Sequence, residues 1–156
     1  MSQNKQLAKL RNRLQGKVSI VGIGNPLRGD DAAGPELIKE LRNSLRCLLL
    51  LDVGEVPENY LEKIVKEKPN TIVLVDAVDL GAPPGTIRII EEGDIRDESL
   101  STHNVSLRLV AKYLQRETSA DVFLLGIQPK TIQFGKEISE PVRGGLEKII
   151  RILERI

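Results

Sequence analysis

Five short runs rich in Val, Ile and Leu recur along the chain, at 18–21, 48–53, 71–75, 86–90 and 122–125, each bounded by Gly, Pro, Asn or Asp. Runs of this length with turn residues at both ends are strand signals, and unbroken apolar character marks strands buried on both faces. Between most of them lie stretches with apolar residues at helical spacing. Leu37, Ile38, Leu41 and Leu45 share one face of the first, and Tyr60, Leu61, Ile64 and Val65 line the next, which starts at Pro57. Val105, Leu109, Val110, Tyr113 and Leu114 form a third stripe, opened by Ser101-Thr102-His103-Asn104, and Val142, Leu146, Ile149, Ile150 and Leu153 form the last, from about Pro141.

This alternation predicts a three-layer α/β/α sandwich around a five-stranded, mostly parallel sheet. One connection breaks the pattern. Gly81-Ala82-Pro83-Pro84-Gly85 separates the third and fourth runs and leaves no room for a crossover helix, so the fourth strand is expected to run antiparallel to the third, at an edge. With 156 residues, no repeat and no linker, the sequence reads as one α/β domain over 17–156, preceded by a basic extension over 1–16.

Residues 1–28 hold six basic side chains and no acid, leaving a net charge of −5 on the rest of a chain whose total is +1. Leu7, Leu10 and Leu14 fall at helical spacing in this segment, but terminal segments fray, and the expectation is a solvated, partly frayed extension. Near-zero net charge and only four aromatic residues argue against nucleic-acid binding. The longest apolar run, Cys47 to Leu51, is five residues, so neither membrane insertion nor a signal peptide is expected and the location should be cytoplasmic. A single cysteine excludes an internal disulfide and a Cys-rich zinc site, and leaves oxygen and nitrogen as the donors for any metal.

In open α/β sheets the ligand crevice lies beyond the carboxyl ends of the strands. The chemically unusual residues collect there. Asp30 and Asp31 follow the first strand, Asp76 ends the third, Gln128 to Lys130 follow the fifth, and His103, the only histidine, precedes the helix after the fourth. Two carboxylates and one imidazole on separate loops suit a borderline divalent metal such as nickel or zinc. One carboxylate of the 30/31 pair suffices for such a set, leaving the other to cap the following helix.

Two other readings use the same edge. A dinucleotide site is suggested by Gly22-Ile23-Gly24 and Asp52, but Leu27 stands where the third glycine belongs, and Asp30 and Asp31 place negative charge where a pyrophosphate would sit. A Mg²⁺-dependent phosphoacceptor module would use Asp30, Asp31, Asp76 and Lys130. Against it stand the long loop before Asp30 and the hairpin-like fourth strand.

The run Gly22-Ile23-Gly24-Asn25-Pro26-Leu27-Arg28-Gly29-Asp30-Asp31, with Pro57-Glu58-Asn59, Leu74-Val75-Asp76-Ala77, Pro84-Gly85-Thr86-Ile87-Arg88, Ser101-Thr102-His103-Asn104 and Gly126-Ile127-Gln128-Pro129, resembles the hydrogenase maturation endopeptidases. It is most similar to the type serving hydrogenase-3 of formate hydrogenlyase. The resemblance runs from about Lys17 to Ile156. It implies a protease that removes a short C-terminal peptide from the precursor of a [NiFe]-hydrogenase large subunit after nickel insertion. It implies Asp31, Asp76 and His103 as the residues contacting the nickel presented by the precursor, with Asp31 or Asp76 also catalytic. The substrate chain is expected over Gly24, Asn25, Asp52, Gly54 and Gln128. Two positions depart from the family pattern: Ala32 and Val53 stand where glycine is common.

Overall fold

The computed structural model describes residues 2–43, 49–96 and 106–156. Among these residues five strands form one sheet: β1 (Val18–Ile23), β2 (Leu49–Gly54), β3 (Thr71–Ala77), β4 (Ile87–Glu91) and β5 (Asp121–Ile127). Their order is β2-β1-β3-β5-β4. Every pair is parallel except β4 with β5. The two central strands β1 and β3 are buried at every position, which is why they read as continuous apolar runs, while β2 and β4 at the edges alternate.

Helices cover both faces. On one, α1 (Gln3–Arg13), α2 (Ala33–Leu41) and α5 (Glu140–Leu153) pack against Ile20, Val73, Val75, Phe123 and Leu125. On the other, α3 (Leu61–Lys66) and α4 (Leu107–Glu117) cover Val21, Ile72, Leu74 and Leu124. The three-layer α/β/α architecture is the one the alternation predicts.

Three details differ from the sequence expectations. β4 runs antiparallel to β3 at an edge, as expected, but it does not pair with β3 as a hairpin would: its neighbour is β5, with Ile89 opposite Leu125. The nine residues from Val78 to Thr86 can span about 30 Å, and stepping over one intervening strand needs only about 10 Å. Next, residues 3–13 are not a solvated, frayed extension. They form α1, which buries Leu10 in the core, with Leu14 just past its end buried beside it. The side chains of Gln3 and Gln6 bond the outward backbone of β4: Gln3 Oε1 accepts from Ile87 N (2.8 Å) and Gln6 Oε1 from Ile89 N (2.9 Å). An edge strand presents a row of unpaired amides, and α1 supplies their partners. Finally, Leu109 and Tyr113 lie on the outer surface of α4, whose buried stripe is Leu107, Val110, Ala111 and Leu114.

Arg13 fastens the end of α1. It forms a bidentate pair with Asp121 (2.9 and 2.6 Å), bonds Glu91, and lies over the Phe123 ring at 4.2 Å. Hydrogen bonding to Asp121 first, and to Glu91, raises the Arg13 pKa above its ordinary value, while the guanidinium holds the Glu91 carboxyl below the usual carboxylate range.

Candidate active site

The strand order reverses direction between β1 and β3, so the crevice of this sheet lies where those two strands end. Asp76 is the penultimate residue of β3 and is fully buried. From β1 the chain enters a loop and then a 3-10 turn, Gly29–Ala32, that leads into α2 and carries Asp30 and Asp31, both also buried. Gly34, at the start of α2, presses onto the sheet. A Cβ there would lie 2.5 Å from Ile23 O and 2.8 Å from Val75 O, so only glycine lets the turn sit down on β1 and β3 beside Asp76.

The two adjacent aspartates do different things. Asp30 is a clamp. Its Oδ1 accepts from Ser139 N (2.7 Å), and its Oδ2 accepts from Lys130 N (2.8 Å), Thr131 N (3.4 Å) and the Ser139 hydroxyl (2.8 Å). All its donors lie on the segment from β5 to α5, which it ties to the turn before α2. Neither aspartate caps α2, because both sit inside the 3-10 turn that precedes the helix. The expectation that the spare carboxylate is a helix cap is thereby corrected: its donors come from a segment about 100 residues away.

Asp31 faces the other way, toward the loop after β1. Its Oδ2 accepts from Asn25 N (2.9 Å). Gly24 makes this possible, because at φ +143° a Cβ would lie 1.9 Å from the Asp31 carbonyl oxygen. Gly24 N also donates to Gly54 O (2.9 Å), joining the loops after β1 and β2. Gly54 takes φ +56° and donates to Asp52 Oδ1 (3.1 Å). Ala32 and Val53 need no glycine, for Ala32 has φ −77° and Lys68 is the one non-glycine at positive φ among the described residues.

Gln128 braces the loop after Asp76. Its Oε1 accepts from Leu80 N (2.5 Å) and Ala82 N (3.4 Å), and its Nε2 donates to Pro129 O. Ser139 is the participant that sequence reasoning missed. A serine just before Glu140-Pro141 has the pattern of an N-cap, but its hydroxyl goes to Asp30 and makes no cap bond.

His103 lies outside the described residues, as do Ser101, Thr102 and Asn104, the rest of its motif, and Cys47. Among the described residues, no three His, Cys, Asp or Glu side chains are grouped so as to hold a metal ion. One cleft of about 510 Å³ is lined by Val78 and Asp79, just beyond Asp76, together with Arg96 and Leu107. A second cleft, of about 620 Å³, opens beside the turn and is lined by Pro26, Ala32, Asp52, Lys136 and Arg143 among others.

Fold and site together define the class: an α/β protein that buries carboxylates, Asp30, Asp31 and Asp76, beside the switch point of its sheet. The phosphoacceptor alternative does not fit, because both oxygens of Asp30 are engaged within the chain and the sheet order differs from the 2-1-3-4-5 of such modules.

The model of the HycI family, hydrogenase maturation protease, matches residues 35–156. The hydrogenase 3 maturation protease of Escherichia coli K12 is 34% identical over 137 residues, 86% of this chain and 87% of its own. The crystal structure of a [NiFe] hydrogenase maturation protease HycI from Thermococcus kodakarensis superposes with a TM-score of 0.84 at 33% identity, covering 94% of this chain and 97% of the other. The solution structure of an endopeptidase HycI from Escherichia coli gives 0.81 at 32%, over 90% of each chain. The chain belongs to the hydrogenase maturation protease family, and it is an enzyme that hydrolyses peptide bonds.

Proposed function

We propose that this endopeptidase removes a short C-terminal peptide from the precursor of a [NiFe]-hydrogenase large subunit, in the cytoplasm, once nickel has been inserted. The observation that carries the reading is the placement of two buried carboxylates beyond the switch point of the sheet, Asp31 in the turn that follows the β1 loop and Asp76 at the end of β3. Asp31, Asp76 and His103 contact the nickel that the substrate presents. Two carboxylates and one imidazole fill half of an octahedral shell, so the precursor's own ligands complete it and free nickel binds weakly.

Nickel thus acts as a handle that admits only loaded precursor. Water adds to the scissile carbonyl carbon, one carboxylate of the pair takes its proton, and the departing amine receives a proton as the C–N bond breaks. A carboxylate held by backbone amides keeps its geometry through this cycle, which is the use of the Asn25 N–H bond to Asp31. The substrate chain runs over Gly24, Asn25, Asp52 and Gly54, with Gln128 fixing the wall beyond Asp76.

The test is processing of purified precursor with and without nickel, read by mass spectrometry of the released peptide. Cleavage of the loaded form alone is expected. Equal cleavage of both forms would remove the handle, and wild-type rates in His103→Ala would remove that residue from the site.

A further inference from the structure

We propose that the loops 25–28 and 131–137 form a preformed docking lip for the folded precursor, recognising an apolar patch flanked by acidic side chains beside its nickel. The proposal rests on the substrate assigned under Proposed function. Among the described residues five large apolar side chains are exposed, and three of them, Leu27, Val56 and Phe134, lie on loops at the carboxyl edge of the sheet. Phe134 is 75% exposed and Leu27 60%, and their loops are joined by Gly135 N donating to Leu27 O at 2.8 Å.

These are not slack loops that happen to show an aromatic ring. Gly29 N donates to Lys136 O (3.1 Å) and Asp30 N to Thr131 O (2.8 Å). Asn25 Oδ1 accepts from Leu27 N (2.9 Å). The Asp30 clamp closes both ends of the 130–139 segment through Lys130 N and Ser139 N. A large apolar side chain held out on a fixed platform loses little freedom on binding, the property of an interface anchor.

Charge and size select the occupant. Arg28, Lys130 and Lys136 on the lip, with Lys39, Arg42 and Arg143 along the adjoining cleft, outnumber the acids Glu36, Asp52 and Glu137 there, while Asp30 and Asp31 are buried. The collar is therefore positive and complements an acidic rim. Two apolar side chains fall far short of the ~1,200 Å² that a stable subunit interface needs. A brief enzyme–substrate encounter does not need that area, and a second copy seated here would cover the mouth of the site it borders.

The experiment compares wild type with the Leu27→Ser/Phe134→Ser double variant on nickel-loaded precursor, with thermal unfolding and sedimentation of both. The expected result is a KM at least tenfold higher with kcat within twofold, an unchanged unfolding midpoint, and monomers throughout. Lys136→Glu is expected to raise KM severalfold and to weaken its salt dependence. An unchanged KM in the double variant, while wild type cleaves, overturns the lip and leaves the protease reading intact. A fall in kcat alone, or a wild-type dimer that the double variant dissolves, also overturns it. Failure of wild type to cleave loaded precursor overturns the protease reading and the lip with it.

Discussion

The α1–β4 edge and the rim at the ends of β1 and β3 solve the same problem with different groups. In both, a buried polar side chain satisfies backbone amides from a distant part of the chain: Gln6 reaches Ile89, and Asp30 reaches Lys130 and Ser139. At the edge a neutral amide suffices, because its task is to cover a strand. At the rim the clamp is a carboxylate that takes four donors onto two oxygens, leaving its neighbour Asp31 directed at the loop after β1. On the proposed reading, stability and chemistry fall to adjacent residues at the rim, whereas the edge carries stability alone.

Gly24→Ala should break the comparison most strongly. The added methyl would lie 1.9 Å from a backbone oxygen, so the loop must move, and a loss of about 2–4 kcal/mol is expected together with loss of cleavage. Chemical denaturation and the processing assay read the two effects. Leu10→Ala, on the buried face of α1, should cost about 2–5 kcal/mol by denaturation while kcat/KM below the unfolding range stays at the wild-type value. A fall in kcat/KM would show that the edge reaches the site.

Gln6→Ala should cost about 1–3 kcal/mol, because it orphans Ile89 N–H. The smallest effect is electrostatic. The Glu91 pKa is lowered by hydrogen bonding to Arg13, so its contribution is fully present above about pH 4.3 and is lost as pH falls through the lowered folded value. Both partners are partly exposed, and the contribution is correspondingly small. Acid unfolding of Glu91→Gln should therefore differ from wild type above that range and converge with it below.

The fold was legible because every strand is a short apolar run and every crossover helix carries a stripe, so local pattern and tertiary layer agree. Asp31 and Asp76 were legible as candidates because one follows the loop after β1 and the other lies at the end of β3, the strands that flank the switch point. The neighbour of β4 was not, since the choice between β3 and β5 is made by a pairing with no local signature. Nor was the docking of α1, because its anchoring residues Gln3 and Gln6 have side chains that suit solvent equally well. Asp30 looked equivalent to Asp31 for a similar reason: its donors come from 130–139, and only the folded chain brings them to it.

Purified Asp31→Asn, Asp76→Asn and Asp30→Ala, each assayed on nickel-loaded precursor and each unfolded thermally, test the division of labour most directly. The account predicts that Asp31→Asn and Asp76→Asn lose about a thousandfold in turnover with little change in midpoint. Asp30→Ala, with its donors orphaned, should lose about 10 °C in midpoint and retain turnover at temperatures where it stays folded. Turnover at the wild-type rate in either Asn variant would contradict the account.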